Sequence, residues 1–274
     1  MFKIIIMALL IFIGMVGYDN ITDKAQPTTP VQQEQQKVSK HEKSAAMVLF
    51  VSLLPPKEEW PSPVHKFYLA FNMDEVIDPI RQNPNWTGLD AMSRDIPQAL
   101  IAIEDHAFYN HGAIAVEGIL RAALANINAG EVVQGGSTLT QQFVKNVFLS
   151  HEQSMERKIE EAVLSLMLED NYSKDEILEL YLNTTYFGAG STGIKQASRT
   201  YFGKAPSALT LAEAAVIASL PYAPTGLNPL ENPEGCKKRQ LLVLAAMHKY
   251  GMINQGQLAE AKAEKIRLTN GTVM

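Results

Sequence analysis

A mainly α-helical core is the fold class this sequence predicts, set behind a short apolar N-terminal segment and a polar tether. Three observations carry that prediction. From about residue 95 onward, apolar residues recur with a helical period near 3.6. Three segments open with Ser or Thr followed three residues later by Glu or Gln, a pair that caps a helix N-terminus from both sides. They are Ser150 with Gln153, Ser173 with Glu176, and Thr210 with Glu213. The 274 residues are 46% apolar and 19% charged, enough to bury a core, which excludes a wholly disordered or collagen-like chain. A net charge of −5 lacks the basic footprint of a nucleic-acid binder, so no nucleic-acid partner is expected. The single cysteine, Cys236, excludes an intramolecular disulfide and a zinc cage of several cysteines.

Residues 1–18 read as a transmembrane anchor or signal segment. Lys3 precedes an uncharged run from Ile4 to Tyr18. That run is short of the roughly 20 residues of a full span. No small-x-small cleavage site follows it closely, which favours an uncleaved anchor. Lys3 before the run and Asp19 and Asp23 after it place the N-terminus in the cytoplasm and the rest outside. The expected location is therefore the cytoplasmic (inner) membrane, single-pass, with the bulk of the chain on the periplasmic or extracytoplasmic face.

Residues 19–60 read as a flexible periplasmic tether. Pro27, Pro30 and the glutamine-rich stretch Gln32–Gln36 supply little to bury. A second apolar run, Ala45 to Leu54, is too short to span and is expected to pack on the core or face the membrane. Pro55, Pro56, Pro61 and Pro63 then break regular structure. The globular domain is expected over 61–250, followed by a C-terminal tail, 251–274.

Within that domain, Pro97 is expected to open a helix, where its missing N–H costs nothing. Core-facing stripes are predicted at Ile159, Val163, Leu166 and Met167, at Ile177, Leu178, Tyr181 and Leu182, and at Ala214, Ala215, Ile217 and Ala218. Loops rich in Gly, Asn and Pro are expected at 187–193 and 221–233. No internal repeat and no sustained heptad occurs.

Four segments could carry chemistry. In Glu104-Asp105-His106-Ala107-Phe108-Tyr109-Asn110-His111-Gly112, a helix continued from Pro97 would put Glu104, Phe108 and His111 on one face. A carboxylate held beside an aromatic ring is a candidate general base or acid. The plainer reading is a helix C-terminus, with His111 near the last carbonyls and Gly112 as a left-handed cap. In Gly135-Gly136-Ser137-Thr138-Leu139-Thr140-Gln141-Gln142-Phe143-Val144-Lys145-Asn146, the glycines free the backbone and Ser137 or Thr138 can cap a helix. Ser137, Gln141 and Lys145 would then form a polar stripe suited to a phosphate or a sugar. A solvated face is the alternative. Arg157 and Glu161 sit four apart and, taken alone, are an ordinary helix ion pair. Lys174 to Asn183 reads as an amphipathic helix ending in an Asn/Gly turn. The six histidines show no metal-ligand spacing.

Taken in order, these segments resemble the peptidoglycan glycosyltransferases, glycosyltransferase family 51, over roughly residues 85–250. That family includes monofunctional transglycosylases and the polymerase half of class A penicillin-binding proteins. The pattern Glu-Asp-x-x-Phe-x-x-His-x-Gly is met at Glu104, Asp105 and Phe108, with His111-Gly112 one step tighter. Gly-Gly-Ser-Thr-x-x-Gln-Gln-x-x-Lys-Asn is met in full from Gly135 to Asn146. Arg-Lys-x-x-Glu is met at Arg157, Lys158 and Glu161, and Lys-x-x-Ile-Leu-Glu-x-Tyr-Leu-Asn from Lys174 to Asn183.

The resemblance implies a lysozyme-like, two-lobed fold around an extended groove. It implies polymerisation of lipid II into glycan strands for cell wall biogenesis, by inverting attack of an acceptor sugar hydroxyl and release of polyprenyl pyrophosphate. Glu104 resembles the base and Glu161 the second essential carboxylate. Ser137, Thr138, Gln141, Gln142, Lys145, Asn146, Arg157, Lys158 and Asn183 resemble the substrate-binding set, with Asp105, Phe108 and His111 flanking it. No tightly bound cofactor is implied; a divalent cation, Mg or Mn, could assist the pyrophosphate. Implied partners are lipid II, the growing lipid-linked glycan, the membrane, and cell-wall synthesis or division proteins. Two departures stand out: Gln153 where many relatives carry Arg, and Ala115 where many carry Asp. No Ser-x-x-Lys and no Lys-Thr-Gly occurs, so the enzyme is expected to be monofunctional, without transpeptidase chemistry. The rival readings are a lysozyme-like glycan hydrolase and a catalytically weak, membrane-tethered lipid II-binding scaffold.

Overall fold

A computed structural model describes residues 69, 72–129, 135–149 and 154–274. All of them but residue 69 belong to a compact unit spanning Asn72–Met274. The expected anchor, the tether, the Ala45–Leu54 run and the Ser150–Gln153 capping pair lie outside the described residues.

Ten α-helices build the described fold: α1 (Asp74–Arg81), α2 (Asp95–Glu104), α3 (Val116–Ala129), α4 (Leu139–Val147), α5 (Met155–Asn171), α6 (Lys174–Thr184), α7 (Ile194–Phe202), α8 (Leu211–Ser219), α9 (Pro233–Lys249) and α10 (Gln255–Ala263). The only extended pairings among the described residues are two isolated bridges, Tyr186 with Thr192 and Arg267 with Val273. The mainly α expectation therefore holds. No helix among the described residues is long and apolar enough to cross a membrane.

Capping decides where most of these helices begin. The predicted boxes form at Ser173–Glu176 and Thr210–Glu213, and two more form at Thr138–Gln141 and Asn254–Gln257. Ser154 caps α5, its hydroxyl accepting from the Arg157 N–H. Pro97 is the third residue of α2 rather than the first. All N–H groups of a first turn lack helical partners, so proline costs as little there. Gly193 precedes α7 at φ 83°, and a Cβ there would lie 2.6 Å from the Asn183 carbonyl oxygen. Only glycine lets the 187–193 loop fold so tightly back on α6.

The core gathers around α8. Every residue from Ala212 to Ser219 is buried, as expected of a helix apolar on all sides. It packs on α2 and α9, and α9 packs in turn on α2 and α10. A second group joins α4 to α5 and α6, with α1 against α6 and α7 touching both α6 and α8. Glu213, 3% exposed, closes the cap of α8 and also accepts two hydrogen bonds from Lys204, at 2.7 and 2.9 Å.

Two expectations are corrected. On α5 the stripe predicted to face the core points outward: Ile159 is 62% exposed, Val163 49% and Leu166 54%. The buried face carries Glu161, Leu164, Ser165 and Leu168 instead. On α3, Val116, Ile119, Leu120 and Ile127 are exposed as well. Periodicity marks an apolar face but does not say what covers it. The second correction concerns 251–274, which is no tail. Ile253, Leu258, Ala261, Ile266 and Leu268 are buried, and the Thr269 N–H donates to the Tyr201 carbonyl at 3.0 Å.

Candidate active site

The candidate site forms where the C-terminal end of α2 meets the N-terminal end of α4. Glu104 is the last residue of α2. The helix stops there because Asp105 turns out of it at φ −157°, and Phe108–Asn110 form a separate 3₁₀ turn. Glu104, Phe108 and His111 therefore do not share one helical face. Gly112 is not among the left-handed residues either, so neither helical reading of this segment stands.

Glu104 is held from two other helices. Gln142 on α4 donates from Nε2 to Glu104 Oε2 at 3.0 Å, and Tyr181 on α6 donates from its hydroxyl to Gln142 Oε1 at 3.0 Å. Burial, and then the Glu104 carboxylate, push the Tyr181 phenol far above its usual range. It thus stays a donor at any working pH.

Asp105 joins the two helix ends. Its Oδ2 accepts the first N–H of α4, from Leu139, at 3.1 Å, where the helix dipole favours a carboxylate. Its Oδ1 lies 2.6 Å from His111 Nε2, and His111 Nδ1 lies 2.6 Å from the Gly112 carbonyl oxygen. Phe108 is fully buried, with Lys174 Nζ 4.5 Å from its ring centre.

The polar stripe expected on α4 is not a stripe. Thr138 is the cap and Ser137 precedes the helix. Thr138 and Gln141 are 1% and 2% exposed, and the Gln141 Oε1 and the Thr138 hydroxyl close the capping box between them; the Thr138 hydroxyl also donates to the Ala113 carbonyl at 2.8 Å. Lys145 and Asn146 are exposed, and Lys145 makes no ion pair among the described residues.

The second carboxylate, Glu161, is 4% exposed and pairs with Lys158 rather than with Arg157. Lys158 also donates to Ser137 Oγ at 3.1 Å, linking α5 to the loop before α4. Arg157 Nη1 is buried without a hydrogen-bond partner, a cation with capacity left for an anion. Asn183 accepts from the Thr87 N–H at 2.9 Å and donates to the Thr87 and Glu179 carbonyls at 2.9 and 2.8 Å. Its side chain pins the 87 segment to α6.

A cleft of about 400 Å³ opens beside Glu104, bordered also by His106, His111, Arg121, Glu117 and Ser137. That volume suits a small ligand or one unit of a larger one. Lys145, Arg157, Lys158, Glu161 and Gln142 do not line it; Ser137, held by Lys158, is the connection between the two sets. His106 and Arg121 were not predicted. His106 occupies a position that the Glu-Asp-x-x-Phe pattern leaves open, and Arg121 gave no signal. Burial pulls the His106 imidazole below its ordinary range, and the Arg121 charge adds to this. Among the described residues, no group of three or more His, Cys, Asp or Glu could hold a metal ion.

Comparison with known proteins bears on the whole arrangement. The family described as Transglycosylase matches residues 73–248. A protein of Cupriavidus necator named for transglycosylase activity is 41% identical over 194 residues, covering 71% of this chain and 84% of its own. Penicillin-binding protein 1A of Neisseria flavescens is 44% identical over 185 residues, 68% of this chain and 23% of its own length. Penicillin-binding protein 2D of Bacillus subtilis is 45% identical over 181 residues, 66% of this chain and 26% of its own. The chain thus spans about a quarter of those two proteins.

Proposed function

This chain belongs to the transglycosylase family, the peptidoglycan glycosyltransferases of cell-wall synthesis, and from that premise we propose that it polymerises lipid II into glycan strands and releases polyprenyl pyrophosphate. The observation that carries the reading is Glu104, set at the edge of a cleft and oriented through Gln142 and Tyr181. The acceptor hydroxyl gives its proton to Glu104 as its oxygen attacks the anomeric carbon of the donor. The bond from that carbon to the pyrophosphate oxygen breaks with inversion, and the pyrophosphate leaves with the electron pair. A positioned base contributes roughly 10²–10⁴-fold to such a step.

The leaving group gathers negative charge, so cations aimed at it stabilise the transition state. Lys145 and the unpartnered Arg157 Nη1 are available for that, with Lys158 oriented by Glu161 and Ser137. Gln141, Thr138, Asp105, His111 and Asn183 hold the frame; Asn146 accompanies Lys145 on the exposed face of α4. This donor set fits an anion better than a resident metal. A divalent cation, Mg or Mn, would arrive with the pyrophosphate.

In this reading the two helix groups are the lobes of a lysozyme-like fold, and the groove between them carries the glycan. The exposed apolar side chains of α3 and α5 suit a domain working against the membrane that holds its lipid-linked substrate. A single-pass anchor in the cytoplasmic membrane, an extracytoplasmic catalytic domain, no transpeptidase activity, and association with other cell-wall synthesis or division proteins complete the proposal.

The test is polymerisation of labelled lipid II by the detergent-solubilised protein, alongside Glu104→Gln and Glu161→Gln. Glycan ladders from the wild type that are lost in Glu104→Gln are the expected result. Lipid II bound by every version without polymer would overturn it in favour of a scaffold, and shortening of finished glycan in favour of a hydrolase.

A further inference from the structure

His106 lies within the cleft beside Glu104, one residue past the Asp105 turn that ends α2. Its ring is stacked on Tyr250, with centres 4.2 Å apart and planes 13° from parallel. Tyr250 is itself fixed: it caps the C-terminal end of α9, its N–H donating to the Ala246 carbonyl, and α9 packs on α2. Lys249 Nζ lies 5.1 Å from the centre of the Tyr250 ring. The imidazole is therefore held by its face, which leaves the ring edge to act.

That edge carries two nitrogens, and neither makes a hydrogen bond among the described residues. The contrast with the other described histidines is direct. His111 meets Asp105 and the Gly112 carbonyl, and His248 Nδ1 lies 3.2 Å from the Ile253 carbonyl oxygen. A half-buried imidazole with both nitrogens unused, fixed at the wall of a cavity, is arranged for a ligand rather than for the fold.

We propose that His106 is a sugar-binding residue, its ring steadied by Tyr250 and its edge hydrogen-bonded to a hydroxyl or acetamido group of the glycan beside Glu104. This deepens, and rests on, the glycosyltransferase reading. The choice of an uncharged sugar group over a phosphate follows from the surroundings. The charged groups that act on the ring are Arg121, Asp105, Lys249 and His111, and the Tyr250 phenol is stacked on it. Burial and the three basic groups outweigh Asp105, so the ring is neutral at neutral pH. A neutral imidazole offers one donor and one acceptor, which matches a hydroxyl or an amide. The cations suited to pyrophosphate, Lys145 and Arg157, do not border this part of the cleft.

Lipid II affinity and steady-state polymerisation are measured for wild type, His106→Ala, His106→Asn and Tyr250→Leu. Loss of one neutral hydrogen bond predicts about three- to tenfold weaker lipid II affinity in His106→Ala, with KM raised more than kcat is lowered. His106→Asn, which keeps a donor and an acceptor, recovers most of the affinity. Tyr250→Leu, which removes the stack, moves part of the way to His106→Ala. Because the imidazole sits below its ordinary range, acidification past that range protonates the ring and the wild type loses affinity, a limb that His106→Asn lacks. Unchanged affinity and KM in His106→Ala would overturn the proposal. So would equal losses in His106→Ala and His106→Asn accompanied by a lowered melting temperature, the mark of a purely structural histidine. Absence of polymer from the wild type strikes the glycosyltransferase reading, whereas the binding arm still decides on His106.

Discussion

Tyr181 shows how much of this site is second-hand geometry. The residue touches no cleft, yet its hydroxyl holds Gln142, and Gln142 holds Glu104. In Tyr181→Phe, Gln142 keeps its donor but loses the contact that orients it. The expected outcome is a severalfold fall in kcat with KM little changed, and a stability loss of about 1 kcal/mol, read by lipid II kinetics and chemical denaturation. Arg157 makes the complementary point. A guanidinium nitrogen buried without a partner is costly unless a ligand satisfies it. Removing Arg157 as Ala is expected to weaken lipid II binding while leaving the melting temperature unchanged or raised. Cys236 takes no part: burial pushes its thiol up to about 11, which leaves it an inert core side chain.

At the scale of elements, capping supplies most of the local specification. The Ser173–Glu176 box at the start of α6 is the most readable case. The Ser173 N–H, then its hydroxyl and the Arg81 guanidinium, hold the Glu176 carboxylate below its usual range. A group with a depressed folded pKa contributes stability that is fully present above its unfolded value, about 4.5, and is lost as pH falls through the folded one. Melting temperatures taken from pH 6 down to 3 are expected to fall less steeply in Glu176→Gln than in wild type. Such boxes are legible because the partners are three residues apart, and the outside contacts of Glu176 with Arg81 and of Glu213 with Lys204 add to a pairing that the local spacing already sets. The end of α2 was not legible in the same way. Nothing local forbids a helix through His111; what ends it is Asp105 swinging out to reach the N-terminus of α4 and His111.

For the molecule as a whole, the core is a set of helices gathered around α8, and its extent is what the chain alone left open. Residues 266–274 fold back on α7 through Thr269, and Leu268 is 3% exposed. Leu268→Ala is expected to cost about 2–5 kcal/mol in denaturant unfolding, as core truncations do, where a true tail would register no change. By itself the sequence determined the helical class, the capping boxes at Ser173 and Thr210, the buried stripes of α6 and α8, and the motifs that carry the family resemblance. These depend on residues close together in the chain, so short-range spacing encodes them. Only the tertiary structure decided that the α5 stripe faces outward, that Glu161 pairs with Lys158, that Gln141 is spent on a cap, and that His106 rests on Tyr250. Each of those depends on which surface packs against which, and packing is settled by contacts between segments far apart in the chain, where no local period reports it.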